Sequence, residues 1–306
     1  MILCCGEALI DMLPRETADG EAAFVPHVGG SVFNTAIALG RLEIPVSFFS
    51  GLSEDLFGVR LQDTLRASGV DLSHAIISTR PTTLAFVSLN EGQASYHFYD
   101  ENTAGRMLFE ADLPDLDESV EAMLFGGISL APEPCGGTFE ALMTRESPTR
   151  VTMVDPNIRQ AFIRDPLAHK ARMRRMMAIA DIIKISEEDL SWFGGPASAG
   201  EAAQVLLAAG TRLVVVTSGG KGASAYWRGG SFVISAVNVK VADTVGAGDS
   251  FNAGILAALR KAGYLKKSRL ASLTTEVVRD ALSFATRVAA VTVSRAGANP
   301  PWADEV

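Results

Sequence analysis

Cysteine, cationic side chains and long apolar runs are all scarce in this sequence, and each scarcity excludes a class of protein. The three cysteines, Cys4, Cys5 and Cys135, have no spacing typical of a disulfide framework or a structural zinc site. Lys and Arg number 27 against 35 Asp and Glu, so the net charge is −8 and a nucleic-acid partner is not expected. No uncharged apolar run approaches the roughly 18 residues of a membrane span, and the start of the chain lacks a basic signal region. We therefore expect a cytoplasmic protein with no membrane partner.

The hydrophobic content, 48% of 306 residues, is enough for the core of one large α/β domain over residues 1–306. Short apolar runs alternate with longer stretches of helical period, which predicts a mainly parallel sheet with helices on both faces. The predicted strands are Ile2–Cys5, Val46–Phe49, Ala122–Phe125, Val151–Val154, Ile182–Ile185 and Leu213–Thr217. The predicted helices lie near Ser31–Leu42, Leu56–Ser68, Leu167–Ala180, Glu201–Ala209, Asp249–Ala262 and Val277–Val291.

Two segments, about 12–28 and 82–104, lack this helical period. Within the second, Ala85 and Val87 alternate with Phe86 and Ser88, as in a strand with two unlike faces. We predict that both segments form antiparallel strands of a small β lid over the ligand cleft. An ordinary hairpin at the sheet edge is the alternative.

A polar, glycine-rich turn at Gly246-Ala247-Gly248-Asp249 runs directly into a helix with an apolar residue every fourth position. Small residues at a helix N-terminus let backbone N–H groups converge on an anion, and the helix dipole adds attraction. This pattern favours a phosphoryl site. Asp249 would repel a merely bound anion, but it makes sense as a base that takes a proton from an attacking hydroxyl, kept ionised by the dipole. The alternative is that Asp249 only caps the helix.

Two other phosphate-binding motifs are excluded by single residues. A Walker A loop needs Ser or Thr after Gly-Lys, but Lys221 is followed by Gly222. A dinucleotide-binding fingerprint continuing from Gly246 and Gly248 would need a third glycine where Phe251 stands. A nicotinamide-dependent dehydrogenase is therefore disfavoured.

The motif Asp243-Thr-Val-Gly-Ala-Gly-Asp249, preceded far upstream by Gly29-Gly30-Ser31-Val32-Phe33-Asn34, resembles the two signatures of the ribokinase-like sugar kinases, also called the phosphofructokinase-B family. The resemblance covers nearly the whole chain. It implies a ribokinase-like α/β fold and ATP-dependent phosphorylation of a sugar hydroxyl. It also implies that Asp249 is the catalytic base, that the anion hole is Gly246, Ala247 and Gly248, and that the sugar is held by Asp11, Gly29, Gly30 and Asn34.

The same resemblance implies where ATP and its cations bind. The residues expected at ATP are Ser186, Thr217, Ser218, Gly219, Gly220, Gly222, Gly248 and Thr286. Where the family often has Asn-x-x-Glu, this chain has Ser186-Glu-Glu-Asp189, so we expect Mg²⁺ to be held mainly by the ATP phosphates, with Glu188 or Asp189 acting through water. The positions matching a K⁺ or other monovalent cation site are Asp243, Val245, Thr292, Arg295 and Gly297.

The sugar is indicated by two stretches similar to those of fructokinases and of 2-keto-3-deoxygluconate kinases, which place Phe98, Asn157 and Arg159 at the substrate. Arg159 could bind a sugar-acid carboxylate. However, Asp100 and Glu101 in the lid segment favour a neutral ketohexose such as fructose. The sugar acid remains the alternative, and a non-catalytic sugar sensor is the alternative of another class. An exposed lid edge could also pair into a homodimer.

Overall fold

The computed structural model describes residues 1–90, 93–194 and 198–306. Its strands are β1 (Ile2–Cys5), β2 (Leu9–Glu16), β3 (Ala22–Gly29), β4 (Val46–Phe49), β5 (Gly51–Ser53), β6 (Val70–Asp71), β7 (Ile76–Ser78), β8 (Leu84–Asn90), β9 (Gln93–Tyr99), β10 (Ala122–Gly126), β11 (Val151–Asp155), β12 (Ile182–Ser186), β13 (Leu213–Thr217), β14 (Ala223–Trp227) and β15 (Gly230–Ile234). Its α-helices are α1 (Ser31–Arg41), α2 (Leu56–Ala67), α3 (Cys135–Glu146), α4 (Pro166–Ile179), α5 (Glu187–Phe193), α6 (Ala199–Ala209), α7 (Ala247–Lys261), α8 (Lys267–Leu270) and α9 (Thr275–Val293).

The main sheet has the order β15-β14-β13-β12-β11-β10-β1-β4-β6. From β13 through β6 every neighbouring pair is parallel, whereas β14 and β15 continue the edge as an antiparallel pair. The mainly parallel sheet is therefore confirmed. Each of the predicted strands is present and ends within one residue of its predicted position.

The sheet is buried on both faces because its strands are continuously apolar. In β1, Ile2 and Cys4 contribute to the core shared with α1, α7 and α9, while Leu3 and Cys5 contribute to the core shared with α3 and α4. All four side chains have no exposed surface. This alternation places helices on both faces of the sheet, as predicted for strands of this type.

The elements that were not predicted include α3, the edge strands β14 and β15, and the short helix α5. Helix α3 was missed because it begins with a glycine pair, Gly136-Gly137, which weakens a helical signal. The edge pair β14–β15 was missed because only a two-residue connection separates the strands. The short helix α5 was taken for part of a loop, but Ser186 caps it by accepting the N–H of Asp189 at 3.0 Å.

A second sheet of four strands, in the order β3-β2-β8-β9, is formed by the two segments predicted as a lid. The pairs β2–β3 and β8–β9 are antiparallel as expected, but β2 and β8 are parallel, so the prediction of wholly antiparallel strands was wrong. The reason is that the two hairpins lie side by side, so that their first strands, β2 and β8, pair with each other. Residues 91 and 92 of the second segment lie outside the described residues.

None of the helices in the described ranges is both long enough and apolar enough to cross a bilayer.

Candidate active site

A cavity of about 310 Å³ opens where the main sheet meets the four-stranded sheet. It lies beyond the carboxyl ends of the parallel strands, the usual position for ligands in open α/β folds. The starts of α1 and α7 also face it. Its lining comprises Glu7, Leu9, Asp11, Gly30, Ser31, Asn34, Tyr96, Phe98, Gly127, Ile128, Asn157, Arg159, Lys184, Thr244, Val245, Gly246, Ala247, Gly248 and Asp249. The fold thus brings the two distant signature motifs into one space.

Asp249 is held at the floor of this cavity by two donors from α1. Its Oδ1 accepts the Ser31 hydroxyl at 2.7 Å, and its Oδ2 accepts the Asn34 amide at 2.9 Å. Asp249 is the third residue of α7, whose N-cap is Gly246, and no side-chain capping bond is present at that helix start. The alternative that Asp249 merely caps its helix is therefore wrong.

Burial raises the pKa of Asp249 above its ordinary value. The hydrogen bonds from Asn34 and Ser31 and the nearby Lys184 lower it, while the charge of Asp155 raises it further. From the sequence we expected the helix dipole to favour ionisation, but the larger effect here is desolvation, which has the opposite direction. A carboxylate with a raised pKa is the stronger proton acceptor, as a general base requires.

The turn before Asp249 has the geometry of an anion site. Gly246 has a φ of +78°, a conformation that glycine adopts without strain, and a side chain there would crowd Ala298 at 2.8 Å. Because α7 begins at Ala247, the N–H groups of Gly248 and Asp249 have no acceptor within their own helix. These amides are free to bind an anion beside the Asp249 carboxylate.

Lys184, which sequence reasoning missed, lies directly beneath this turn. Its Nζ is 3.0 Å from the point that a Cβ on Gly248 would occupy. The residue is only 5% exposed, and its ammonium donates to Asp155 Oδ2 at 3.0 Å. Asn252 donates to the same oxygen at 2.7 Å. The available signal was a lone lysine inside the otherwise apolar strand β12, because a buried ammonium needs a partner or a ligand.

The opposite wall of the cavity carries Asp11, on β2 of the second sheet, and Arg159, on the loop after β11. Burial raises the pKa of Asp11 to about 6, against a smaller lowering by the Arg159 charge. Gly29 is paired with β2, and a side chain there would collide with the Asp11 carboxylate. Gly29 therefore makes room for Asp11 and does not line the cavity, whereas Gly30 does.

The remaining predicted sugar residues all line the cavity. Asn34 lines the cavity, but its amide is bonded to Asp249, so it orients the base as well as facing the ligand space. Phe98 and Asn157 also line the cavity. Phe98 is held by an edge-to-face contact with Phe162, with ring centroids 4.8 Å apart.

The predicted ATP residues other than Gly248 lie outside the cavity lining. Ser186 and Thr217 are register partners at the ends of β12 and β13, two residues beyond Lys184. The turn that follows runs from Ser218, whose N–H donates to the Gly222 carbonyl, through Gly219 and Gly220. Thr286 lies on α9, where its hydroxyl donates to the Leu282 carbonyl at 2.7 Å. Within the described chain, the cavity lining includes Gly248 but none of these others.

The two residues predicted to hold magnesium through water, Glu188 and Asp189, do not line the cavity. Asp189 is 6% exposed and accepts the Ile158 N–H at 3.0 Å, whereas Glu188 is exposed on α5. The described residues hold no cluster of three or more His, Cys, Asp or Glu side chains suited to a metal ion. A magnesium ion would accordingly depend on phosphate oxygens and water for most of its ligands.

The positions matched to a monovalent cation are only partly together. Asp243 accepts the N–H groups of Val245 at 3.0 Å and Gly297 at 2.9 Å, which brings these three backbone segments into contact. Thr292 bonds instead to Ser250, and the Arg295 side chain pairs with Glu305.

Comparison with known proteins agrees with this architecture. The model of the pfkB family of carbohydrate kinases matches residues 1–305. The fructokinase of Rhizobium leguminosarum bv. trifolii is 54% identical over 280 residues, which covers 92% of this chain and 86% of that protein. The crystal structure of the Xylella fastidiosa fructokinase with bound ATP superposes with a TM-score of 0.90 at 28% identity, covering 99% and 96% of the two chains.

A second solved structure comes from the Vibrio cholerae O395 fructokinase with fructose, ADP and calcium bound. It has a TM-score of 0.83 at 27% identity, and the match covers 97% of this chain and 94% of that one. The fold and site define an α/β sugar kinase that uses ATP. The chain belongs to the pfkB family of carbohydrate kinases. The predicted family, fold class and kinase activity are confirmed.

Proposed function

We propose that this protein transfers the γ-phosphoryl group of ATP to a primary hydroxyl of fructose. The observation that carries the proposal is the joint position of Asp249, the free amides of the α7 start and the sugar-facing Asp11 in one cavity. The fructokinases among its relatives support fructose as the acceptor. In this reaction the base must reach the sugar hydroxyl while the anion hole holds the phosphoryl group next to that hydroxyl.

The preference for a neutral sugar over a sugar acid rests on the cavity, not on the lid residues from which we first argued. Asp100 pairs with Arg106 and Glu101 pairs with Arg164, so neither is a free negative charge facing the substrate. The cavity itself, however, is lined by the carboxyl groups of Glu7, Asp11 and Asp249 against two cations, Arg159 and Lys184, and the Lys184 ammonium is already paired with Asp155. A sugar carboxylate would be repelled by these carboxyl groups, whereas hydroxyl groups can donate hydrogen bonds to them.

In the proposed mechanism, Asp249 takes the proton from the attacking hydroxyl as the hydroxyl oxygen bonds to the γ-phosphorus. The bond from that phosphorus to the bridging oxygen breaks at the same time, and ADP leaves. The N–H groups of Gly248 and Asp249 donate hydrogen bonds to the oxygens of the transferring phosphoryl group, and Lys184 supplies a positive charge beneath them. Ser31 and Asn34 keep the carboxylate aimed at the hydroxyl. The four-stranded sheet, acting as a lid, excludes the water that would otherwise take the phosphoryl group.

Magnesium fits this site as a partner of ATP, because the residues that the structure describes offer isolated carboxylates and no metal cage. When bound, it would neutralise charge on the phosphates. Asp189 is the carboxylate that would hold one of its waters, and the Ile158 N–H, which its Oδ1 accepts at 3.0 Å, fixes its position. For K⁺ we retain the backbone around Asp243, Val245 and Gly297, which the Asp243 side chain holds together.

A homodimer through the lid is the proposed assembly. The edge strands β3 and β9 carry the exposed apolar side chains Phe24, Val25, Tyr96 and Tyr99. Unpaired edges with apolar side chains favour pairing with a second copy. Sedimentation velocity tests this proposal, and a protein that stays monomeric at assay concentrations contradicts it.

ADP release with a panel of fructose, 2-keto-3-deoxygluconate, ribose and other sugars tests the substrate. We expect the highest kcat/KM with fructose. Turnover of the sugar acid alone would support the alternative kinase, and no ADP release with any sugar would support a non-catalytic sensor.

The Asp249→Asn variant tests the base. It keeps the shape of the side chain and should lower kcat by at least about 10²-fold, because a positioned base contributes about 10²–10⁴-fold. The matched control is Asp181→Asn, which removes another buried carboxylate at the far end of β12, bonded to Thr152 and Lys267. Near-normal turnover in Asp249→Asn would refute the assigned role.

A further inference from the structure

Helix α1 begins without a side-chain cap of its own. Its N-cap is Gly30, which has no side chain to accept the first N–H groups of the helix. A carboxylate from a different part of the chain takes that position. Glu7, in the turn between β1 and β2, accepts the Ser31 N–H with Oε1 at 2.8 Å.

The same Glu7 carboxyl reaches across to the loop after β10. Its Oε2 accepts the Ser129 N–H at 3.3 Å. Gly127 is packed so closely against the carboxyl that any side chain there would overlap it, and its φ of +73° also favours glycine. Glu7 therefore joins two segments of the cavity wall, although it is only 7% exposed.

Ser31 connects this carboxylate to the catalytic base. Its N–H donates to Glu7, and its hydroxyl donates to Asp249 Oδ1 at 2.7 Å. The backbone position that Glu7 fixes is thus the one from which the Ser31 side chain reaches the base. We propose that Glu7 is a positioning residue for phosphoryl transfer, which holds the Ser31 hydroxyl on Asp249 by supplying the charged acceptor that α1 lacks. This inference rests on the proposed role of Asp249.

The charge state of Glu7 makes the proposal measurable. Burial raises the pKa of Glu7 to about 7, against the lowering effect of the hydrogen bonds from Ser31 and Ser129. The charged groups around the same cavity are Asp11 on β2, Asp249 on α7, Lys184 on β12 and Arg159 after β11. None of them is among the causes of this shift, so burial and local hydrogen bonds set the pKa of Glu7. Only the ionised form accepts both amide bonds at full strength.

We therefore expect kcat of the wild-type protein to rise through a step between about pH 6 and 8, above which Glu7 is ionised. Glu7→Gln should lower kcat about tenfold at pH 8 and remove this step, with KM for ATP changed less than about threefold. The control Asp181→Asn, a buried carboxylate outside the cavity, should keep the step. A Glu7→Gln variant that retains the step overturns the proposal.

A double-mutant cycle tests the route through Ser31. If Glu7 acts by placing that hydroxyl, Glu7→Gln should lower kcat by less than about threefold when it is added to Ser31→Ala. An equal fall in kcat in the wild-type and Ser31→Ala backgrounds overturns the proposal. If Glu7→Gln does not fold, the pH profile of Ser31→Ala decides alone, because loss of the step supports the link and its persistence refutes it. The assays use whichever sugar the wild type phosphorylates. If fructose is not the substrate, the wild-type protein shows it; if Glu7 has no positioning role, only the variants show it.

Discussion

The buried ion pair beneath the anion turn offers the sharpest test of how this site handles phosphate charge. The Lys184 ammonium and the Asp155 carboxylate are 3.0 Å apart, with side-chain exposures of 7% and 2%. Lys184→Met alone would leave a buried carboxylate unpaired, which typically costs about 3–5 kcal/mol of unfolding free energy. The better perturbation is the double variant Lys184→Met/Asp155→Asn, which removes both charges and avoids that penalty.

The double variant should fold, and its unfolding free energy should lie well above that of Lys184→Met. Its kcat should still fall by about 10²–10³-fold, the effect of removing one preorganised donor from a developing charge. The KM for the sugar should stay within about threefold, because Lys184 faces the phosphoryl turn at Gly248 and not the Asp11 wall.

The assay is ADP release at saturating sugar and ATP, combined with urea unfolding of the same samples. The matched control is Lys267→Met/Asp181→Asn, which removes a second lysine–aspartate pair, 2.7 Å apart, at the other end of β12. This control should keep its kcat. If the Lys184 and Asp155 double variant also kept wild-type kcat, the pair would be purely structural and the reasoning would be refuted.

Three further predictions follow from the same cavity. Glu7→Gln should change the pH dependence of stability: the native pKa of about 7 exceeds the ordinary 4.5, so the stability that Glu7 contributes below pH 4.5 is lost as pH rises through 7. Urea unfolding should then show the glutamine variant gaining on the order of 2–3 kcal/mol over wild type between about pH 5 and 8, and a constant difference would contradict this. Because the pKa of Asp11 is about 6, KM for fructose should rise as pH falls below 6, and Asp11→Asn should abolish that dependence. Gly127→Ala should destabilise the fold by at least about 2 kcal/mol more than Gly263→Ala, since both glycines have a φ of +73° but only Gly127 abuts a carboxyl; equal losses would refute the collision.

Elements with a local sequence signal were predicted accurately, and contacts between distant segments were not. Strand β1 and helix α7 were predicted almost to the residue, because a continuous apolar run and a four-residue apolar period are local signals. The parallel pairing of β2 with β8 was not predicted, because the relative direction of two strands that are distant in sequence depends on how their hairpins pack. The proposed role of Asp249 as the base came from the local sequence together with the family resemblance, whereas the two donors that hold its carboxylate come from a helix more than 200 positions upstream.

The sequence by itself determined the family, the parallel sheet and the chemical character of the glycine-rich turn, since each is encoded in short segments that can be recognised one at a time. Tertiary structure alone decided which charges meet. Lys184 and Glu7 gave little sign of function in the sequence, because a lone lysine in a strand and a lone glutamate in a turn are ordinary. Folding placed one beneath the anion turn and the other at the uncapped start of α1, both with little access to water. Desolvation at those positions is what makes the two charges matter, and burial is a property of the packed chain.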